Sequence, residues 1–272
     1  MSKVKPLLPG PVAAARRVLD ECDVRHPRDI HVEAMAARYG AMIVYGPVST
    51  ARGSIVRTSK RAVIWVDENA KGEPRADFTG AHELGHHLQH DVVDHFAQCY
   101  GEDAAAPKGS TEARLADKKA RALEREADHF AAALLMPERW AAPLCDVPRP
   151  TLDDVYRVAR TFRTSFHASA IRFIELTSAP CAFVHTVGGR IKRSTETHAF
   201  PGTIVQRRAV HPDSLAARLQ DRRVAGGGDV DAEPREVPGA AWGDDTRGRA
   251  FLEQTIALGP ELGVMSWIVA LG

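Results

Sequence analysis

One short string, His-Glu-x-x-His, constrains the fold of this chain more than any other feature. It runs from His82 to His86 as His-Glu-Leu-Gly-His and lies inside Arg75–Asp91, a stretch with strong helical periodicity. Because residues four apart lie one turn apart on the same helix face, His82 and His86 can offer two imidazole nitrogens to one divalent ion. Glu83 lies beside them and can take a proton from an attacking water. The string therefore predicts a metal site on a helix, with Glu83 as general base.

A site of this kind needs a third protein ligand, and the same helix does not supply it. His90 continues the histidine face but lies eight residues beyond His82, about 12 Å along the helix axis, which is too far for one shared ion. A longer pattern with a glycine and a third histidine also fails, because those positions hold Gln89 and Val92. We therefore expect the third ligand from another helix, and His90 could support the first helix from outside the ligand set.

The best source of the third ligand is the long helix predicted over Thr111–Met136. Glu124 shares one face of that helix with small alanine residues, which would let the two helices approach closely. Asp128, one turn further on, could accept the second N–H of a ligand histidine. Glu126 is the alternative ligand, although it points about 160° away from Glu124 on a helical wheel. We predict Glu124 as the third ligand and Asp128 as the carboxylate that supports a ligand histidine.

This ligand set is typical of Zn²⁺, and Mn²⁺ is left open as the native metal. No pattern identifies the group that would stabilise an oxyanion, and Tyr100, His129 and His185 are candidates by residue type alone. We expect an extended substrate segment to pair with the strand predicted at Ala62–Val66, taken as the sheet edge that faces the cleft.

The rest of the chain alternates between helical and extended patterns. Further helices are predicted at Pro11–Asp23, His31–Tyr39, Leu152–Phe162 and Ser165–Leu176, and further strands at Ala41–Tyr45 and Gly53–Val56. The later part is predicted to hold strands at Cys181–Thr186, Arg190–Ser194 and Gly263–Leu271, a helix at Ala250–Leu258 and loops at Gly101–Gly109 and Gly226–Gly239. A change of composition near residue 178 predicts a first domain over 1–178, including a helical pair at 151–177, and a second over 179–272.

Composition excludes several function classes. The 36 basic and 35 acidic residues leave a net charge of +1, whereas non-specific nucleic-acid binders and membrane-surface proteins need a large positive excess. The longest apolar run, around Ala131–Met136, is far shorter than the roughly 20 residues of a membrane span. The four cysteines are widely spaced, which favours reduced thiols over a disulfide scaffold. Three early prolines interrupt the apolar N-terminal stretch, so we expect no export and a cytoplasmic protein.

Two stretches of the chain resemble the ImmA/IrrE family of metallopeptidases. The first is Phe78–His86, and the second is Glu124–Pro137, which reads Glu-x-Glu-Ala-Asp-x-Phe-Ala-Ala-x-Leu-Leu-Met-Pro. Their order is also similar to that of gluzincins, in which a ligand glutamate is followed four residues later by an aspartate. The resemblance covers roughly residues 10–178. It implies an α+β fold. The zincin-like domain would consist of a small antiparallel or mixed sheet and the active-site helices, and it would be followed by a helical segment and a C-terminal α/β extension.

The resemblance also implies a function. Members are cytoplasmic endopeptidases of narrow specificity, and their usual substrate is a helix-turn-helix repressor of the XRE type. Its cleavage releases stress-response or mobile-element genes from repression. We therefore expect a zinc-dependent, site-specific endopeptidase with a protein substrate and no membrane partner. Residues 179–272 could serve as a sensor or a substrate-docking domain.

Two alternatives belong to other function classes. The chain could keep the metal site and bind a repressor or DNA without cleaving anything. The helical pair Leu152–Leu176 could also bind DNA, since its spacing loosely fits a helix-turn-helix. Positive charge there comes from Arg157, Arg160, Arg163 and Arg172. Acidic residues within the pair dilute that charge, so we do not expect direct DNA binding, and the oligomeric state is left open.

Overall fold

The computed structural model describes residues 9–48, 53–57, 61–90, 97–98, 111–223, 230–243, 246, 248–259 and 263–271. Contacts divide the chain into two units. The N-terminal unit consists of Leu7–Trp140 with Thr161–Ser165, and the C-terminal unit contains Ala141–Arg160 with Phe166–Gly272. Among the described helices, none combines the length and the apolar character that crossing a bilayer requires.

The N-terminal unit combines helices with a small mixed sheet. Its helices are α1 (Pro9–Glu21), α2 (Val32–Arg38), α3 (Pro74–Gln89) and α4 (Thr111–Leu135). Its strands are β1 (Ala41–Gly46), β2 (Gly53–Arg57), β3 (Ala62–Asp67) and β4 (Ala97–Gln98), in the order β1-β3-β2-β4. Strand β1 runs parallel to β3, and the other pairs are antiparallel. The mixed sheet and the helices confirm the α+β class predicted from the sequence.

One face of this sheet is buried, and the helix with the histidine motif packs against it. Alternate residues of a strand point to opposite faces, and the paired Ile55 and Ile64 are fully buried, whereas Trp65 is exposed. The two isoleucines belong to one core cluster with Leu84 of α3 and Phe130 of α4. The buried face of the sheet therefore packs against α3, and α4 packs into the same core.

Two glycines allow α3 to lie close to its neighbours. A Cβ atom at Gly80 would lie 2.8 Å from the side chain of Ile43 in β1. A Cβ atom at Gly85 would lie 3.0 Å from the ring of Phe130 in α4. Helix α3 begins at Pro74, which suits the first helical position because its missing N–H would have no intrahelical partner there.

The C-terminal unit contains a five-stranded antiparallel sheet. Its strands are β5 (Cys181–Val187), β6 (Arg190–Glu196), β7 (Val230–Pro238), β8 (Ala250–Gly259) and β9 (Gly263–Ala270), in the order β6-β5-β9-β8-β7. The helices that lie wholly or mostly in this unit are α5 (Glu138–Cys145), α6 (Leu152–Phe162), α7 (Phe166–Leu176) and α8 (Leu215–Arg223). A buried carboxylate, Glu253 of β8, accepts the backbone N–H groups of Leu215 and Ala216 at the start of α8. The indole N–H of Trp242 also donates to it.

Two sequence predictions in this unit are wrong. The helix predicted at Ala250–Leu258 is strand β8, because pairing with β7 and β9 on both edges overrides the helix preference of its Ala, Leu, Glu and Gln residues. The loop predicted at Gly226–Gly239 contains strand β7 from Val230 onward. Its Pro234 lies at a break in the register of this edge strand, where a missing N–H is tolerated. The loop predicted at Gly101–Gly109 lies outside the described residues.

The compact units do not follow the boundary predicted near residue 178. Helix α7 and most of α6 group with the C-terminal sheet, and the rings of Phe173 and Trp267 meet edge to face at 5.4 Å. A unit defined by its internal contacts and a domain defined by common ancestry can begin and end at different residues. The domains 1–178 and 179–272 therefore remain a prediction.

Candidate metal centre

Three donor groups from α3 and α4 converge on one point. The Nε2 atoms of His82 and His86 lie 3.1 Å apart. The two carboxylate oxygens of Glu124 lie 3.3 Å from those nitrogens, one oxygen on each. The three residues form a group whose ligand atoms all lie within 4.8 Å of one another. The structure thus brings together the three residues that the sequence predicts as ligands.

The spacing of these donors fits a single tetrahedral ion. Two ligands at about 2.0–2.1 Å from Zn²⁺ lie about 3.3 Å from each other when the angle between them is tetrahedral. The nitrogen–nitrogen and nitrogen–oxygen distances of 3.1 and 3.3 Å are close to that value. Two imidazoles and a carboxylate are also the donor set of catalytic zinc sites, which keep a fourth position for water or substrate. The residues present therefore fit a divalent metal ion.

The carboxylate of Glu124 is in the form that binds a metal. Burial by itself would raise its pKa, but hydrogen bonds with His82 and His86, and the positive charge these rings can carry, outweigh burial and lower the pKa to about 2. Glu124 is consequently ionised across the physiological pH range.

The outer nitrogen of His82 has a carboxylate partner. Its Nδ1 atom lies 2.9 Å from Oδ1 of Asp128, one turn after Glu124 on α4. A proton on Nδ1 leaves the lone pair of Nε2 directed toward the metal point, as in many histidine ligands of zinc. Asp128 lies where the sequence places a supporting carboxylate, and its role remains a prediction.

The outer nitrogen of His86 has a different partner. Its Nδ1 lies 2.9 Å from Nδ1 of His90, and Nε2 of His90 lies 3.2 Å from Oε2 of Glu126. The side chain of His90 is only 2% exposed. Burial, followed by the charge of His86, lowers the pKa of His90, which favours a neutral ring. Glu126, the alternative ligand, thus contacts His90 instead of the two motif imidazoles.

Sequence reasoning allowed His90 a supporting role outside the ligand set but did not predict its contacts with His86 and Glu126. The signal was present in the i, i+4 spacing of His86 and His90, which lie one turn apart on one face. The position of Glu126 on the helical wheel did not predict its partner. Its long side chain reaches His90, which lies one helical turn after His86.

Glu83 is fully buried at the junction of α3 and β2. A Cβ atom at Gly53, the first residue of β2, would lie 3.4 Å from Oε1 of Glu83 and would collide with Thr79 on α3. Only a residue without a side chain lets this strand approach the helix so closely. The carboxylate of Glu83 therefore lies against the backbone of β2, one residue after His82.

Strand β2 also contacts the end of α3. Arg57 is buried, and its guanidinium donates a hydrogen bond to the backbone carbonyl of His86. A cation near the C-terminal carbonyls of a helix is favourable, because the helix dipole places partial negative charge there. This contact holds the last turn of α3, which carries His86 and is followed by His90.

Other sequence predictions about the site have different outcomes. Strand β3 lies between β1 and β2, so the prediction that it forms the sheet edge is wrong, because strand patterns do not reveal that β1 pairs with it in parallel. Tyr100 lies outside the described residues. His129 is half-buried on α4, and His185 lies on β5 of the C-terminal unit. A role for any of the three at an oxyanion remains a prediction.

Helix α7 does not present the surface that a DNA-reading helix needs. All of its residues, Phe166–Leu176, are described, and none of them is exposed. Arg172, one source of the predicted positive charge, is 1% exposed and lies 3.1 Å from Glu175. A recognition helix inserts exposed side chains into a groove of DNA.

Comparison with known proteins adds a family and a fold. A family model described as the IrrE N-terminal-like domain, a peptidase domain, matches residues 36–173. Among solved structures, a Mycobacterium tuberculosis transcriptional regulator is similar, with a TM-score of 0.56 and 20% identity, covering 97% of this chain and 89% of that one. At that identity the likeness is one of fold. No curated protein matches the chain. The matched residues 36–173 include every residue that converges on the candidate site.

Proposed function

This chain belongs to the IrrE N-terminal-like peptidase family, and on that premise we propose that it is a zinc-dependent endopeptidase with a zincin-like α+β domain. The observation that carries the proposal is the convergence of His82, His86 and Glu124 on one point, at the spacing of a tetrahedral ion. Zn²⁺ is the proposed metal, with Mn²⁺ as the alternative, because two imidazoles and a carboxylate suit both the charge and the geometry of zinc.

The chemistry divides between the metal and the residues of the chain. His82, His86 and Glu124 would hold a divalent ion, which when bound would supply Lewis-acid polarisation of the scissile carbonyl and a lowered pKa of a water molecule. Glu83 accepts a proton as the water oxygen bonds to the carbonyl carbon. It then delivers that proton to the amine nitrogen as the C–N bond breaks. The burial of Glu83 against β2 holds its carboxylate in one place for both transfers.

The proposed substrate is a helix-turn-helix repressor of the XRE type, cleaved in the cytoplasm to derepress stress-response or mobile-element genes. Family membership supports a protein substrate. The structural neighbour is a transcriptional regulator, which supports a role in gene control. Residues 179–272 are proposed to sense a signal or to dock the substrate.

Cleavage of a repressor encoded beside the gene tests this function. We expect incubation of the zinc-loaded chain with the repressor to give fragments with new termini in mass spectrometry. Glu83→Gln should lower the cleavage rate by at least about 100-fold, because a general base is lost, while zinc stays bound in full amount. Glu73→Gln removes an exposed glutamate just before the same helix and should cleave like the wild type.

Two results would contradict the proposal. Cleavage by Glu83→Gln at the wild-type rate would exclude Glu83 as the general base. An intact repressor in a stable complex with the zinc-loaded chain would instead identify a metal-binding regulator that does not cut.

A further inference from the structure

The geometry around His86 assigns a role to two residues outside the ligand set. We propose that His90 and Glu126 form a positioning relay, which holds the ring of His86 with its Nε2 atom directed at the metal. The relay consists of two consecutive contacts, His86 Nδ1 to His90 Nδ1 at 2.9 Å and His90 Nε2 to Glu126 Oε2 at 3.2 Å. It rests on the metal centre of the proposed function and extends it to two further residues.

The relay permits only one arrangement of protons. The Nε2 atom of His86 must keep its lone pair for the metal, so the ring carries its proton on Nδ1. That N–H donates to Nδ1 of His90, which must accept and therefore carries its own proton on Nε2. This second N–H donates to the carboxylate of Glu126, which only accepts. Each contact thus fixes the tautomer of the next ring.

Burial makes the relay necessary for His86. Because the side chain of His90 is 2% exposed and that of His86 is 7% exposed, water cannot easily replace either ring as a partner. The rings of His86 and His90 meet edge to face, with centroids 4.9 Å apart, and their Nδ1 atoms lie 2.9 Å from each other.

The two motif histidines are therefore oriented differently. Asp128 accepts directly from His82, whereas Glu126 accepts from His86 only through the intervening ring of His90. Both carboxylates come from α4, the helix that also supplies Glu124. Helix α4 consequently provides a ligand and the end of both supporting contacts.

The test measures Zn²⁺ affinity of the full chain by competition with a chromophoric chelator, without reference to cleavage. His90→Leu should weaken the affinity by about 10- to 100-fold, the usual effect of losing the partner of a ligand histidine. His90→Gln should recover part of that loss, because its amide oxygen can accept from His86 Nδ1. A matched control is His87→Leu, which removes the neighbouring histidine of α3 and its contact with the carbonyl of Tyr39. This control should leave the affinity unchanged.

A double-mutant cycle separates a relay from two independent contacts. Glu126→Ala should weaken Zn²⁺ binding in the wild-type background and have no further effect in His90→Leu, since the link to His86 is already broken. If His90→Leu does not fold, the same cycle with His90→Phe, which also lacks an acceptor for His86 Nδ1, provides the comparison. In addition, NMR of the zinc-loaded chain should show a coupling between Nδ1 of His86 and Nδ1 of His90 across their hydrogen bond.

Each outcome decides between the claims. A His90→Leu variant that binds Zn²⁺ as tightly as His87→Leu, or a full effect of Glu126→Ala without His90, would overturn the relay. A wild-type chain that binds no Zn²⁺ would overturn both the relay and the proposed function. Zinc binding with the expected cycle, but without cleavage of any repressor, would retain the relay and reject only the peptidase.

Discussion

Two carboxylates that are near neighbours in the sequence have different surroundings at the candidate site. The oxygens of Glu124 each lie 3.3 Å from the Nε2 of one motif histidine, whereas Glu126 lies 3.2 Å from the Nε2 of His90. A carboxylate that faces two ring nitrogens can complete a ligand set. A carboxylate that faces a ring outside the set can only orient it.

We therefore predict that Glu124→Ala loses stoichiometric zinc, whereas Glu126→Ala keeps one zinc per chain at reduced affinity. The first change removes a ligand, and the second removes only the acceptor at the end of the relay. Metal analysis after dialysis at micromolar protein concentration measures the stoichiometry. Zinc-loaded Glu124→Ala together with zinc-free Glu126→Ala would reverse the assignment of the third ligand.

The distance between α3 and α4 sets the geometry of the site at the level of the elements. Glu124 can reach the two histidines only because the helices lie close together at Gly85, where the ring of Phe130 occupies the space of a side chain. Phe130 is fully buried, so it cannot move into solvent to make room. The glycine of the motif thus serves helix packing, and the histidines serve the metal.

We predict that Gly85→Val forces the two helices apart and weakens both stability and zinc binding. Overpacking of this kind costs about 1–3 kcal/mol, and the displacement of α4 withdraws Glu124 from the imidazoles. Urea unfolding of the metal-free chain and chelator competition measure the two effects. Gly10→Val is the control, because the space around Gly10 in α1 is open. Wild-type stability and affinity in Gly85→Val would show that the helix contact does not position the ligand.

Each of the two units has a hydrophobic core of its own. The core of the N-terminal unit contains residues of α1, α2, α3, α4 and its small sheet. A core of the C-terminal unit includes residues of α8 and of the five-stranded sheet. The candidate metal ligands all belong to the N-terminal unit. Metal binding should therefore stabilise the two units unequally.

We predict that Zn²⁺ selectively slows hydrogen exchange in the N-terminal unit. At a free concentration of about 100 times Kd, a ligand that binds only the native state stabilises it by about 2.7 kcal/mol. The gain in protection should concentrate in α3 and α4, and the strands β5–β9 should change little. Hydrogen-exchange mass spectrometry with and without zinc measures this difference. An equal gain in β9 would contradict a separate response of the units.

The long helices were predictable because their periodicity is strong. The sequence predicts the motif helix at Arg75–Asp91, and α3 spans Pro74–Gln89. The strands β7 and β8 of the C-terminal sheet were not predicted from the sequence. The helix-favouring residues of β8 led to a predicted helix, and Pro234 favoured a predicted loop in place of β7. Sheet pairing rather than local preference determines both strands.

The sequence by itself determined the chemistry of the site. His82, His86 and Glu83 occur at fixed offsets on one helix, and helical geometry alone brings the two imidazoles together. Only the tertiary structure decided which carboxylate of α4 meets them and that His90 and Glu126 contact the outer nitrogen of His86. The physical reason is that contacts between helices depend on packing distance and side-chain reach, which glycines and a buried phenylalanine set here and which no local pattern encodes.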